Sequence, residues 1–497
     1  MEEGKRNKKL HAACIPFPAQ GHITPMLQLA KVLNSKGFYI TFFNSEHNHE
    51  CLLHSQGPNS LDGSPSFRFA TFPDGLPPSD TTPNQPRSAE SLVRSLERNS
   101  ALLFQKILLI LIEPKPSLGT PPVSIIISDA FLSFPLNAAR EFIDCPIVLF
   151  TASSPSCFLA YSQFDNLLDS GVLPFKDADY MTNGSLDVKP DLEPSSMKGM
   201  RLRDLPSHVR TTEKDNPVFG FIKRIITRCS DRPIIFNTFK ALDHEVLKDL
   251  SEVLIGPIYT VGPLQSLSNN LALHESEGIS DIGSNILKED SECLRWLDSQ
   301  NPNSVVYASF GSTTTMTNEQ LIEFAWGLAN SKHPFLWVIR PDIIIGQSAI
   351  LPVEFEMEVK GRGILVSWCP QQKVLSHPSI GVYLTHSGWN STLETISSGV
   401  PVICWPYKGD HQPISWWSCY KWGIGKELDI FVKRDQVEKH IKEVLEEEKG
   451  KMLKLKAMEW KHLADEATSS NGSSRLDIDR FIDYVASLHH VENGLTI

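Results

Sequence analysis

The stretch Trp368–Gln412, WCPQQKVLSHPSIGVYLTHSGWNSTLETISSGVPVICWPYKGDHQ, decides the fold. Its Val382–Thr385 run has the apolar, β-rich character of a buried strand and leads straight into His386-Ser387-Gly388-Trp389-Asn390-Ser391-Thr392. Leu393, Ile396 and Val400 then mark a helix that stops near Ser398-Gly399-Val400-Pro401. A small-residue turn that opens a helix leaves several backbone N–H groups free at the positive end of the dipole, a seat for phosphate. Strand, turn and helix in this order form the repeating unit of a doubly wound α/β sheet.

Working outward, the same rhythm recurs along the chain. In the first half, strands are expected at Ala12–Phe17, Tyr39–Asn44, Ser124–Ser128, Ile147–Phe150 and Ile234–Asn237. The second half repeats them at Ser304–Phe310, Phe335–Ile339, Gly363–Ser367, Val382–Thr385 and Pro401–Trp405. Between the first two of these, Leu321, Phe324, Ala325 and Leu328 fall on one helical face. Two such series imply two Rossmann-like domains, residues 1–261 and 291–475, joined by a linker at 262–290. The Gly, Ser and Asn-rich part of that linker, Gly262–Asn285, reads as a mobile connection that does not pack as an element. Residues 476–497 read as a C-terminal helix and tail returning to the first domain, Ser79–Arg87 as a surface loop, and the alternating Lys and Glu of Val432–Ala464 as exposed helix.

Composition narrows the partners. The 497 residues are 41% hydrophobic and 21% charged, with a formal net charge of −11. That acidic balance, with no basic stripe, argues against nucleic acid. Nine cysteines without a CxxC pair or zinc-like spacing read as reduced thiols and imply no metal site. The charged start, Met1–Lys9, followed by Pro16 and Pro18, is unlike a secretory signal, and the longest apolar run, Ile107–Ile112, is too short to span a bilayer. The expectation is a cytoplasmic protein without integral membrane association.

In open α/β sheets, ligands bind beyond the carboxyl ends of the strands, so chemistry is sought just after each one. Pro18-Ala19-Gln20-Gly21-His22 follows the first strand, which places His22 at a strand-end turn facing a cleft. Asp129 follows Ser124–Ser128 at another carboxyl end. A carboxylate on one imidazole nitrogen fixes the tautomer and stabilises the imidazolium when the other nitrogen takes a proton. No G-x-S-x-G elbow accompanies them, so acyl transfer is disfavoured and the base is left to act on a substrate hydroxyl.

Both halves resemble the plant family 1 UDP-dependent glycosyltransferases. The likeness rests on the Trp368–His411 box, on the PAQGH turn, on SDAF at Ser128–Phe131 and on Phe150-Thr151. It runs from about His11 to about Val485. IPFPAQGHITPMLQLAKVL, FPDGLPPSD and SVVYASFGSTTTM bring it closest to the subgroup of cyanohydrin, iridoid and diterpenoid glycosyltransferases. The resemblance implies the GT-B fold, two doubly wound domains facing across a cleft, with the donor held by the second. It implies a catalytic pair of His22 and Asp129 and a contact from Thr151 to the donor sugar. Trp368 would stack on uracil, with the backbone of Cys369 on the base edge, and Gln371 and Glu394 would meet the ribose. Ser312, His386, Asn390 and Ser391 would hold the diphosphate, and Trp389, Asp410 and His411 the sugar.

The implied reaction is an inverting transfer of a hexose, glucose or galactose, from a UDP-sugar to a hydroxyl or carboxyl of a small lipophilic metabolite such as a terpenoid or phenolic. The UDP-sugar is a co-substrate, no cofactor or metal is required, and a monomer is expected. Asp177-Ala178-Asp179 and Asp477-Ile478-Asp479 have DxD spacing, but neither follows a strand of a nucleotide-binding unit. Alternatives are a pentose (xylose or arabinose) transferase or a non-catalytic UDP-sugar-binding protein of the same fold. A sugar-nucleotide epimerase or dehydrogenase is disfavoured because no GxGxxG turn follows the first strand.

One departure bears on the donor. The box closes on His411, where the family commonly has Gln, and an imidazole cannot accept and donate to two adjacent hydroxyls in one plane as an amide does. The donor sugar therefore stays open. Ser387, Val382 and Lys408-Gly409 are lesser departures, and Trp416-Trp417 could line the cleft floor or fill core. The acceptor pocket is expected from Phe17, Phe131–Leu136, Ser153–Tyr161 and Met181–Leu186.

Overall fold

The computed structural model describes residues 9–77, 87–112, 120–138, 145–272, 282–344 and 349–491. Most of the expected Ser79–Arg87 loop, linker residues 273–281 and the last six residues of the tail lie outside them. Seven parallel strands build the first sheet: β1 His11–Ile15, β2 Tyr39–Ser45, β3 Phe67–Phe72, β4 Ile125–Asp129, β5 Ile147–Thr151, β6 Ile234–Phe236 and β7 Ile258–Thr260. Six form the second: β8 Val305–Ser309, β9 Phe335–Val338, β10 Gly363–Val366, β11 Ile380–Thr385, β12 Val402–Cys404 and β13 Gly425–Glu427. Helices cover both faces, which is why β1, β2, β4, β8 and β11 are buried along their whole length and read as continuous apolar runs.

The strand orders are β3-β2-β1-β4-β5-β6-β7 and β10-β9-β8-β11-β12-β13. Each sheet therefore reverses direction once, between β1 and β4 and between β8 and β11. Crevices open at such switch points. The two sheets make the α/β, doubly wound GT-B pair implied by the sequence. β3, β7 and β13 escape the sequence reading because β7 and β13 are three-residue edge strands and β3 is a half-buried one.

The connection after β7 differs from expectation. Leu264–Ala272 is a helix whose Leu264 and Leu267 bury against the Gln20–Ser35 helix, because its few apolar residues recur at the helical period. Downstream, Gln20 pins the chain by donating from Nε2 to the Ser284 carbonyl at 2.9 Å and accepting from Ile286 N at 2.8 Å. Low apolar content did not prevent packing.

The Ser473–Val491 helix returns to the first sheet, burying Ile478, Phe481 and Val485 in its core. Asp477 seals the contact by accepting from Thr260 N at 3.0 Å and Thr260 Oγ1 at 2.8 Å, while Asp479 pairs with Lys36. The other DxD acids, Asp177 and Asp179, stand on an exposed loop. The Val432–Ala464 region is only outwardly a solvated helix. Its Arg434–Glu446 segment buries Val437, Ile441 and Val444 against the Asn318–Ser331 helix and turns its charges out. Trp416 and Trp417 belong to the core.

Candidate active site

The switch point of the first sheet positions a base. The Gln20–Ser35 helix opens just after β1, so His22 lies in its first turn, and Asp129 ends β4 on the neighbouring strand. Nδ1 of His22 and Oδ2 of Asp129 are 2.7 Å apart. Asp129 is fully buried and its other oxygen accepts from Phe131 N at 3.0 Å, so the carboxylate is fixed before it fixes the ring. With Nδ1 carrying the proton, Nε2 is the basic nitrogen. Phe17 and Phe131 flank the imidazole at ring distances of 5.1 and 5.3 Å. Burial disfavours the charged ring, yet the Asp129 charge and hydrogen bond outweigh it and hold the His22 pKa above the ordinary value.

The second switch point builds an anion seat. The loop after β8 carries Ser312, and the turn after β11 runs from His386 into the Trp389–Ser398 helix. Gly311 and Gly388 are glycines of necessity: a Cβ on either would come within 2.4 or 2.5 Å of His386 Nε2. Gly311 also has φ +70°, and Ser387 holds φ 66° with its N–H on Thr385 Oγ1 at 3.1 Å. Arg340, almost wholly buried, donates to the Gly311 carbonyl and, at 2.7 Å, to the Thr314 carbonyl, bracing both sides of Ser312. Burial, reinforced by the Arg340 charge, pulls the His386 pKa down to about 3, so the imidazole is neutral. The seat offers neutral donors and a helix N-terminus to a phosphate.

Beside it, Gln371 organises a stretch of the cavity wall. Its Oε1 accepts from the Tyr307 and Tyr383 hydroxyls at 2.9 and 3.1 Å, and its Nε2 donates to Ser391 Oγ at 2.9 Å and Glu394 Oε2 at 2.7 Å. Burial pushes the Glu394 carboxyl up to about 7. Trp368 is half-buried at the rim with Cys369 beneath it. At the far end, burial raises the Asp410 carboxyl to about 6. His411 packs edge-on against His386 at 4.8 Å, and its Nδ1 accepts from Lys408 N at 3.3 Å. Burial first, then His386 and Lys408, holds the His411 pKa well below 6.5, so the ring is neutral with its proton on Nε2.

His22, Ser312, His386, Asn390, Ser391, Trp368, Cys369, Gln371, Glu394, Asp410 and His411 line one cleft cavity of about 510 Å³ between the sheets, with Asp129 and Arg340 behind its wall. Its size suits a nucleotide sugar and a small second substrate. Thr151 is fully buried behind the cavity wall, and its hydroxyl accepts from Ser153 N at 3.2 Å, which shapes the turn that brings Ala152 and Ser153 to the cavity. Trp389 reaches the cavity, but its indole N–H is committed to the Asn237 carbonyl at 2.8 Å, across the cleft.

Of the expected acceptor residues, Phe17, Phe131, Ser153 and Tyr161 line the cavity, whereas Met181 and Leu186 line a separate small recess with Arg203, Arg210 and Glu427. Arg340 and His208 escaped the sequence reading, which noted Lys408 only as a departure in the box. Arg340 had a signal: a lone cation directly after the apolar strand Phe335–Ile339. Among the described residues no cluster of three or more His, Cys, Asp or Glu side chains could hold a metal ion, and no helix is long and apolar enough to cross a membrane.

Comparison with known proteins places this geometry. A family model described as "UDP-glucoronosyl and UDP-glucosyl transferase" matches residues 181–462. The 7-deoxyloganetin glucosyltransferase of Gardenia jasminoides is 51% identical over 482 residues, covering 97% of this chain and 98% of the relative. The (R)-mandelonitrile beta-glucosyltransferase of Prunus dulcis is 48% identical over 479 residues, 96% of this chain and 97% of its own length. Among solved structures, one from O. sativa in complex with UDP superposes with a TM-score of 0.75 at 27% identity, covering 95% of this chain and 100% of that chain. Another, from Phytolacca americana with UDP-2fluoro-glucose and pterostilbene, gives 0.73 at 27%, covering 96% and 100%.

Proposed function

The chain belongs to the UDP-glucoronosyl and UDP-glucosyl transferase family, and we propose that it moves glucose from UDP-glucose to a hydroxyl of a small lipophilic metabolite, with His22 as the base. It is a UDP-dependent glycosyltransferase of GT-B fold. The observation that carries the finer reading is that His22, held by Asp129 at 2.7 Å, lines the same cavity as Trp368, His386 and His411. Glucose and a terpenoid or cyanohydrin-like alcohol are supported by the names of the relatives, and by the apolar walls that Phe17 and Phe131 give the acceptor side.

The acceptor hydroxyl lies against Nε2 of His22, which takes its proton as the oxygen attacks the anomeric carbon. The bond from that carbon to the diphosphate breaks, its electron pair leaves on UDP, and the configuration inverts to a β-glucoside. Asp129 stabilises the imidazolium formed in the step. Holding both substrates in one cleft supplies much of the rate gain. The departing phosphate charge is met by Ser312, neutral His386 and the N–H groups opening the Trp389–Ser398 helix, so the reaction is proposed to run without a metal. Trp368 with Cys369 holds the uracil, Gln371 and Glu394 the ribose, Asn390 and Ser391 the diphosphate, and Asp410, His411 and the Trp389 backbone the sugar hydroxyls. We place the enzyme, as a monomer, in the cytoplasm, where its nine free cysteines would stay reduced.

The test is His22→Ala assayed with UDP-glucose and an alcohol panel, alongside UDP titration. Transfer should be lost while UDP affinity is kept. Undiminished turnover in that variant rejects the base assignment.

A further inference from the structure

Phe17, Phe131 and Ala152 give the cleft an apolar surface beside His22, and Tyr161 and His208 bring two polar heads into the same cavity. They come from distant segments. Tyr161 lies in the last turn of the Pro155–Ser162 helix, which Ser154 caps by accepting from Cys157 N at 3.1 Å, and its ring is wedged edge-on against Phe164 at 5.6 Å. His208 sits in the short turn Ser207–Val209. That turn is clipped across the cleft: Ser207 N donates to the Gly409 carbonyl at 3.1 Å, and Gly409 N donates to Ser207 Oγ at 2.8 Å. Gly409 directly precedes the acid Asp410, so His208 is fixed relative to the sugar wall as well as to Tyr161.

The two heads are incompletely used by each other. Tyr161 Oη and His208 Nδ1 are 3.5 Å apart, longer than a full-strength hydrogen bond. The Cys157 thiol bonds the phenol, and the Asp410 carboxylate also acts on it through its charge. Burial, with the charge of Lys408 beside it, lowers the His208 pKa to about 4, so the ring is neutral near pH 7 and offers one donor and one acceptor. Burial likewise keeps the phenol protonated. Polar groups in an apolar cavity cost free energy unless a partner satisfies them, and a ligand oxygen can be that partner.

We propose that Tyr161 and His208 form a reading site for a second oxygen function on the acceptor, so that the preferred substrates are apolar alcohols carrying a further hydroxyl or carbonyl remote from the one that is glucosylated. The inference rests on the proposed function, since it needs His22 to mark the reacting end. A substrate of this class places its carbon skeleton along Phe17 and Phe131, its reacting hydroxyl at His22, and its second oxygen at the tyrosine and histidine. A site built to hydrogen-bond an oxygen discriminates strongly against the analogue that lacks it, because its own groups are then left unpaired.

The experiment is a matched series of primary alcohols and α,ω-diols of four to ten carbons with UDP-glucose. Two equivalent ends give a diol a twofold statistical advantage at most. Wild type should exceed that by about tenfold in kcat/KM at the chain lengths that span the two sites, mainly through KM. Tyr161→Phe removes a single oxygen, and His208→Phe removes both ring nitrogens. Each should bring the diol-to-alcohol ratio down toward two, with UDP affinity as the control for folding. A wild-type ratio near two at every length, or equal losses on alcohol and diol in both variants, overturns the inference. Transfer to the simple alcohols in that case leaves the proposed function standing, whereas absence of transfer to any member rejects that reading itself.

Discussion

Asn390 Nδ2 donates to the Gly21 carbonyl at 2.8 Å, so the turn that carries His22 is tied to the helix-opening turn of the opposite domain. Gly21 immediately precedes His22, the proposed base, and Asn390 stands in the first turn of the Trp389–Ser398 helix, proposed to face the diphosphate. One side chain thus connects the two halves of the site. Asn390→Ala should lower kcat/KM for UDP-glucose by about tenfold, from one lost cross-cleft hydrogen bond and a lost phosphate donor. It should also reduce kcat with saturating donor, because the base loses a support that bound donor cannot replace. Steady-state kinetics with both substrates varied checks this, and a change confined to donor KM counts against the coupling.

With His22 as the proposed base, the His22–Asp129 pair should set the pH profile. The raised His22 pKa means the base is protonated at acid pH, so kcat/KM should fall below an apparent pKa above 6.5. Asp129→Asn should move that limb to lower pH and cut kcat by roughly 10²- to 10⁴-fold. The stability contribution has the opposite sense. A group whose folded pKa is raised adds stability that is complete below the unfolded value and is lost as pH rises through the folded value. The thermal midpoint gap between wild type and Asp129→Asn should therefore be full below the unfolded imidazole value of about 6.5 and narrow as pH rises from there through the raised folded value.

Those two residues also show what the sequence could and could not convey. Asp129 ends an apolar strand and His22 stands in the turn of helix that follows the neighbouring one, and the doubly wound pattern predicts that such neighbouring strand ends meet. Their pairing was legible for that reason. Arg340 was not, because its partners are the backbone carbonyls of Gly311 and Thr314, and backbone acceptors leave no trace in side-chain identity. The local role of Thr151 was equally hidden, because its hydroxyl accepts from the backbone N–H of Ser153. The Leu264–Ala272 helix was hidden by composition, since its two core leucines are outnumbered by Ser, Asn and Gln.

His411 presents one N–H where an amide would present a donor and an acceptor. Lys408 N occupies its Nδ1, and the neutral ring cannot add a second proton at that face. His411→Gln should change the kcat/KM ratio of UDP-glucose to UDP-galactose by about tenfold, the size expected for one repositioned polar contact to a sugar hydroxyl. A donor panel extended to UDP-xylose and UDP-arabinose measures it. An unaltered ranking and ratio across the four sugars means the closing residue does not read the donor.

Gly311 and Arg340 hold the Ser312 loop from inside and can be separated by substitution. Gly311→Ala puts a methyl within 2.4 Å of His386 Nε2 at a φ of +70°, so the ring must move or the loop must open. The backbone cost alone is about 1–2 kcal/mol, and UDP affinity should fall by more than that because His386 leaves its seat. Arg340→Lys keeps the charge but loses the planar fork that reaches two carbonyls and the Asp342 carboxylate at 3.0 Å. It should weaken UDP by about tenfold with a small change in the thermal midpoint. Arg340→Leu removes the donors entirely and strands two carbonyls in the interior, so a stability loss of about 3 kcal/mol is expected, visible in urea unfolding. UDP titration and unfolding of the three variants together distinguish the roles. If lysine destabilises as much as leucine, Arg340 is a packing residue; if lysine costs only UDP affinity, the guanidinium is there to set the shape of the loop that meets the departing phosphate.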